Sequence, residues 1–420
     1  MAEADSFDLE QYASKYPPHG RLVRLKFIAS NSERLELEAL RILFRELKKG
    51  QNTSMYKDVF AMANGRISEE STFDSDWVKR IESQGQLRHA SLQGELENNR
   101  AQQITRSIQM STKNLAEYYH GRGDFANALK YYKKIVKVDN LNSLTLSEAL
   151  LTICRTHVLL GDFDGVKLQI ALLQQTPEAF SDSKLVSRVK CYSGLAALVK
   201  GDYYEAAQEF TQISLDPEQD SKEAIGETLA FDDIALYGGL CGLATFSRAE
   251  LESNIIKNDA FRKFLELVPE VREMIMDFYN SEYAASLSYL ERMKPDLALD
   301  LYLSAPVKAL CGEVRSKGLI QYCQPYSSVD MRAIANSFNT TTEPILEELG
   351  ALIAQGKIEA RIDTENKVLF RKKKDRKALA YKEAIATGGD IFSEVDAMLL
   401  RMQLMRQNKY VGHRGLASML

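Results

Sequence analysis

The sequence predicts an all-α-dominated protein: a right-handed solenoid of helical hairpins, then a winged helix with a small β-sheet, then C-terminal helices. Two observations carry that reading. A Gly-Asp-aromatic turn recurs as Gly123-Asp124-Phe125, Gly161-Asp162-Phe163 and Gly201-Asp202-Tyr203, with the glycines 38 and 40 residues apart, the period of a helical repeat. Farther along, Ser327 to Phe370 reads as helix, helix, strand, turn, strand.

Residues 1–63 form an N-terminal helical segment. Up to about residue 20 only partial order is expected, with Tyr12, Tyr16, Pro17 and Pro18 marking a docking segment. Apolar patches follow, one at Leu22, Leu25, Phe27 and Ile28, a second from Leu37 to Leu47 that ends at Lys48-Lys49-Gly50. A polar linker is expected over 64–86, strongest from Asn64 to Asp76. From Leu87 to Tyr119 the apolar residues are sparse, which predicts one long, largely exposed helix at the head of a repeat array over 87–295. Within each repeat Gly permits the left-handed cap and Asp starts the next helix, so Gly123, Asp124, Gly161, Asp162, Gly201 and Asp202 define the hairpin turns of a tetratricopeptide-like unit. Two degenerate units continue the array at Thr245-Phe246-Ser247 and Ser281-Glu282-Tyr283, where the glycine is missing.

The winged helix is expected over 305–371, within a domain spanning 206–372. Val307, Leu310, Cys311 and Val314 give its first helix. Met331, Ile334, Ala335 and Phe338 line a short second helix capped by the Ser327–Asp330 pair. Pro344 opens a third, which Gly356 ends. Two strands close it, with Ile358, Ala360 and Ile362 facing inward on the first, Asp363 to Asn366 in the turn, and Val368 and Phe370 facing inward on the second. C-terminal helices are expected over 378–410. There Ile391, Val395, Met398, Met402 and Met405 follow a 4-3-4-3 spacing, a heptad seam that suits either a helix of the same domain or one from another subunit.

The chain has 420 residues, 45% hydrophobic and 27% charged, and a net charge of −4, which offers no global attraction to nucleic acid or anionic membranes. Its five cysteines, Cys154, Cys191, Cys241, Cys311 and Cys323, sit in apolar helical contexts and read as reduced core residues of an intracellular protein. The N-terminus is acidic where a secretory signal would be basic and then apolar. The five histidines are isolated from one another, there is no cysteine pair at ligand spacing, and no Walker A or G-x-S-x-G sequence occurs. His157 reads as a satisfied core residue, Gly238, Gly239 and Gly242 as small residues permitting close helix contact, and Asp232-Asp233 as a solvated acidic pair. The expectation is a protein without catalytic site, metal or cofactor.

A winged helix raises the question of DNA. The groove-reading position, Glu343 to Gln355, presents Glu343, Glu347 and Glu348 and no cation, so phosphate would be repelled and a protein-binding role is favoured. Arg371 to Lys377 is the one basic run. It supports the alternative of a nucleic-acid-associated protein or a nuclear-localisation segment, against the commoner solvated charge run.

A helical solenoid feeding a winged helix and C-terminal helices resembles the PCI family of scaffold subunits found in the proteasome lid, the COP9 signalosome and translation initiation factor three. Within it the signalosome branch is most similar, through FDLEQYASKY (7–16), RLKFIA (24–29), FDDIALYGGLCGLATFSRAEL (231–251), DLALDLYL (296–303), LIQYCQPYSSVDM (319–331), FNTT (338–341) and ARID (360–363). That resemblance implies a non-catalytic subunit of the complex that removes Nedd8 from cullins, with the zinc isopeptidase on another subunit, acting in nucleus and cytoplasm. It implies that winged helices join edge to edge, which gives a use to an unpaired edge at Lys367, Val368, Leu369 and Phe370. It also implies that C-terminal helices gather into one bundle, which gives a use to the seam, and that the N-terminal arm reaches cullin-RING ligase components. Proteasome-lid and initiation-factor scaffolds are the alternatives within the family.

Overall fold

The computed structural model describes residues 7–63, 73–136, 143–175, 182–215, 228–371 and 376–407. It divides into a unit of residues 1–322 with 336–340 and a unit of residues 323–335 with 341–420.

In the first unit the chain starts with α1 (Leu9–Ser14), α2 (Pro18–Asn31), α3 (Glu36–Lys49) and α4 (Thr53–Ala63). Asp8 caps α1 by accepting from the backbone N–H groups of Glu10 and Gln11 at 3.0 Å. Pro18 opens α2, where its missing N–H leaves nothing unsatisfied. Leu9 and Ala13 pack with Leu25, Ile28, Leu43 and Leu47 into one core, and Tyr16 is buried as well. The expectation of a loosely ordered docking segment before residue 20 is therefore corrected for residues 7–20. An alternation too short to register as a helix in sequence is stabilised by α2 and α3.

The linker is also shorter than expected. Asp74 caps α5 (Ser75–Ala101) through the Trp77 N–H at 2.8 Å, and Trp77 and Val78 pack back into the N-terminal core. Residues 64–72 lie outside the described residues. The single helix expected over 87–119 is two: α5 ends at Ala101 and α6 spans Thr105–Gly121. Bonds between Tyr118 and Gly85, His89 and Tyr119, and Asn99 and Ser111 make them an antiparallel hairpin. The turn was invisible because Gln103 takes the left-handed conformation, φ 57°, without a glycine.

The hairpins continue through α7 (Phe125–Val136), α8 (Ser143–Leu160), α9 (Phe163–Gln174), α10 (Ser183–Lys200), α11 (Tyr203–Thr211) and α12 (Phe231–Thr245). Beyond lie α13 (Arg248–Leu251), which runs into a π-turn at Glu252–Ile256, then α14 (Asp259–Leu265), α15 (Pro269–Tyr279), α16 (Tyr283–Leu297) and α17 (Val307–Cys323). Gly238 and Gly239 on α12 are where neighbours come close. A methyl group there would stand 2.9 Å from the Phe261 ring and 2.7 Å from Val271.

In the second unit β1 (Ser328–Asp330), α18 (Met331–Ser337), α19 (Thr342–Ala354), β2 (Ala360–Asp363) and β3 (Val368–Arg371) build the winged helix, and α20 (Arg376–Arg406) follows. The sheet order is β1-β3-β2, antiparallel throughout. Ser328–Asp330, expected as part of a helix cap, is a strand, although Asp330 still accepts from the Arg332 N–H at 2.9 Å. The inward residue of β3 is Leu369, with Phe370 exposed, one step out of phase with the expected Val368 and Phe370. Lys367 causes the slip: its φ of 53° closes the turn, and with a period of two one residue changes the face.

Candidate interaction site

The three glycine turns share one geometry. Gly123, Gly161 and Gly201 have φ of 78°, 75° and 88°. In each, the glycine N–H and the following aspartate N–H reach back to carbonyls of the preceding helix, as Gly201 does to Leu198 at 3.1 Å and Asp202 to Ala197 at 3.0 Å. Asp124 and Asp162 then accept from Asn127 N–H and Gly165 N–H at 3.1 and 3.0 Å, whereas the Asp202 side chain makes no such bond. Ser281 repeats the turn at φ 69°, with its own N–H on Phe278 and that of Glu282 on Asp277. The other degenerate unit differs: Phe246 is extended, and Ser247 and Glu250 form a capping box.

His157 is buried, and its Nδ1 lies 2.9 Å from Asp162 Oδ2. Its pKa is lowered, by burial first and the charge of Lys133 second. All five cysteines are buried thiols, and burial pushes Cys154 and Cys191 up to about 12. Among the described residues no three His, Cys, Asp or Glu side chains group as metal ligands, and no helix is long and apolar enough to cross a membrane.

The expected free edge at Lys367, Val368, Leu369 and Phe370 is overturned. Val368, Leu369 and Phe370 belong to the central strand, paired with β1 through Val329↔Leu369 and with β2 through Ile362↔Leu369, and Lys367 stands in the turn before it. The returning strand of a hairpin has one free side, and the short segment before α18, taken for a cap, fills it. The edges of this sheet are β1 and β2.

Helix α20 carries the predicted seam. Ile391, Val395, Met398, Met402 and Met405 are all exposed, Met402 by 66%. Phe392, Leu399, Tyr381 and Ile385 are exposed too, Phe392 by 74%. This is an apolar surface running along a helix of 31 residues. On α19, Glu343 and Glu347 face solvent while Ile345, Leu349 and Leu352 are buried. Lys372, Lys373 and Lys374 of the basic run lie outside the described residues.

The sequence reading missed the most polar part of the interior. Arg24, on α2, is 2% exposed and sits between Asp233 on α12 at 2.9 Å and Asp300 at 2.5 Å. Tyr16 donates to Asp233 at 2.7 Å, Tyr237 to Asp300 at 2.8 Å, and Arg24 to Tyr12 at 3.0 Å. Backbone N–H groups of Ala230, Tyr302 and Leu303 complete the carboxylates, and the guanidinium lies 4.1 Å from the Tyr16 ring centre. Burial raises Asp233 to about 6 against the pull of Arg24, with the Asp300 charge adding to the rise. Burial opposes the charge on Arg24, yet Asp300, the tyrosines and Asp233 together hold its pKa well above the ordinary value.

Asp232-Asp233 is therefore not the solvated pair it resembles. Asp232 pairs with Lys15 at 2.7 Å, and its neighbour is buried. The available signal was polarity out of place: Arg24 at a core position of RLVRLKFIA, and Asp300 inside DLALDLYL. This knot ties residues 12–24 to residues 228–302.

Residues 74–254 match the profile of the family described as 26S proteasome subunit RPN7, and residues 286–373 match that of the PCI domain. COP9 signalosome complex subunit 1 of Arabidopsis thaliana is 34% identical over 413 residues, which cover 97% of this chain and 91% of that protein. COP9 signalosome complex subunit 1b of Drosophila melanogaster is 28% identical, covering 98% of this chain and 87% of its own length. The similarity to 26S proteasome non-ATPase regulatory subunit 6 of Oryza sativa subsp. japonica is narrower, at 24% identity over 56% of this chain and 59% of that protein.

Proposed function

Because the chain belongs to the COP9 signalosome subunit 1 family, we propose that it is a non-catalytic scaffold of the signalosome, holding its neighbours through α20 and the winged helix. The complex it serves on this reading removes Nedd8 from the cullins of cullin-RING ligases. It works in both nucleus and cytoplasm, which a fluorescent fusion would test.

The observation that supports the scaffold role is α20. Its residues from Tyr381 to Met405 keep large apolar side chains in water, spaced along a heptad. A helix hydrophobic on so much of its surface is stabilised only when other helices cover it. Neighbouring subunits meet the described chain at this surface. Any β-augmentation uses the backbone edge of β1 or β2, since β3 is paired on both sides. The N-terminal helices and hairpins then form the arm that faces the cullin ligase.

Co-expression of the full chain with the other signalosome subunits tests this directly. Met398→Lys with Met402→Lys places two charges in the seam and should remove the protein from the purified complex, while hydrogen exchange in α2 to α17 stays unchanged. Undiminished incorporation of that variant would overturn the role given to α20.

A further inference from the structure

Helix α5 carries a glycine, Gly85, in the interior of its 27 residues, where glycine is unfavourable and needs a reason. The reason is Arg122, just past the end of α6. Its guanidinium lies where a side chain at position 85 would begin, with Cζ 2.9 Å from the place a methyl carbon would take. Arg122 Nη1 donates to the Tyr118 hydroxyl at 2.8 Å, and that hydroxyl donates to the Gly85 carbonyl at 2.7 Å. The half-buried cation is thus fixed through one of its three nitrogens. Its Nε and Nη2 make no hydrogen bond among the described residues.

Gly85, Tyr118 and Arg122 line one recess of about 300 Å³, and Arg88, a turn beyond Gly85 on the same face of α5, lines it too. The lining carries two guanidinium groups, the amides of Gln51 and Gln84, and no acidic side chain. Among the described residues neither arginine pairs with a carboxylate. Two neighbouring acids are already engaged. Glu82 is bonded to Lys57 at 2.8 Å, which holds its carboxyl low with the charge of Arg122 contributing. Asp124 accepts from the backbone and side chain of Asn127 at 3.1 and 2.6 Å. Tyr118 and Arg122 also line a second recess of about 430 Å³, where Thr53, Ser54, Gln86 and His89 supply polar groups and Asp124 is the one acid.

An arginine held at one nitrogen, with Nε and Nη2 uncommitted, is prepared to grip an oxyanion, and a second guanidinium in the same recess adds to the attraction. A neutral or cationic group would gain nothing from two unpaired guanidiniums. Two recesses that share a wall suit an extended segment, with a side chain in one and backbone amides in the other. We propose that this groove binds an extended peptide through an acidic side chain, a carboxylate or a phosphorylated serine, seated between Arg88 and Arg122. None of these residues lies in α20 or the sheet, so the proposal and the scaffold role can fail separately.

The test uses the intact chain and three fluorescein-labelled pentapeptides: one of glutamates, one with a single phosphoserine among alanines, and one of glutamines. Anisotropy titrations should show saturable binding of at least one acidic peptide, the glutamate arm reporting a carboxylate site and the phosphoserine arm a phosphate site. The glutamine peptide should bind at least tenfold more weakly. Arg88→Gln alters an exposed side chain, so it should fold normally and weaken binding about fivefold. Gly85→Ala keeps every charge and favours the helix, yet its methyl displaces the Arg122 guanidinium, so it should weaken binding at least as much. Arg100→Gln, the same change of charge about 18 Å farther along α5, should leave binding unaltered. The Arg122 Nε–H resonance should move on saturation. Absence of saturable acidic-peptide binding, equal binding of the glutamine peptide, full affinity in Gly85→Ala, an unmoved Arg122 resonance, or an Arg100→Gln defect equal to that of Arg88→Gln would each overturn the proposal.

Discussion

Replacing Arg24 by Met removes the cation that holds two buried carboxylates together. Both ion pairs are lost, and neither Asp233 nor Asp300 can turn to water, because backbone N–H groups and tyrosines hold them in place. Removing one partner of a buried pair costs roughly 3–5 kcal/mol, and a shared cation falls at the upper end of that range. In a chain of this size the loss is best read locally, as the opening free energy of α2 amides in native-state hydrogen exchange. That value should fall by about 4 kcal/mol at pH 8. The sign with pH follows from linkage. Burial already raises the Asp233 carboxyl, and without the opposing pull of Arg24 it titrates higher still in the folded state than in the unfolded one, so the folded state binds the extra proton. Its stability therefore recovers as pH falls through that raised value. The defect should shrink between pH 8 and pH 5.5, and adding Asp233→Asn and Asp300→Asn should restore part of it at pH 8. A loss below about 1 kcal/mol, or a defect independent of pH, would refute the assignment of the knot as the tie between α2 and α12.

Ser281→Gly should stabilise the chain by about 1 kcal/mol, since φ 69° costs a side-chain residue what it does not cost glycine; urea midpoints of the two proteins decide it. Gly239→Ala should destabilise by about 1–3 kcal/mol because its methyl would meet Val271 at 2.7 Å, whereas Gly312→Ala, with open space around it, should be neutral or slightly stabilising in the same assay. Burial holds the thiols of Cys154 and Cys191 near 12, so iodoacetamide at pH 8 should leave both unlabelled in the native protein and label them in urea; rapid native labelling would contradict their burial.

Local chemistry was legible wherever one residue type decides the backbone. Gly-Asp at 123, 161 and 201 specified left-handed turns and helix starts, and the apolar spacing from Met331 to Leu352 specified two helices of the winged helix. Periodicity also singled out the heptad face of α20, because such a seam exists in the sequence whether or not anything covers it. Three features were decided only in three dimensions. The Gln103 turn split a helix because a left-handed glutamine is tolerated once both arms pack, and no residue type announces it. β3 became the central strand because β1, a mere three residues, was drawn to its free side by backbone pairing, which sequence alternation does not encode. The knot of Arg24, Asp233 and Asp300 joins positions more than two hundred residues apart. Asp233 read as half of a solvated acidic pair, and Arg24 and Asp300 carried no reading of their own. Only the tertiary fold, by withdrawing all three from water at once, made them partners, because a buried charge is tolerable only where its counter-charges are buried with it.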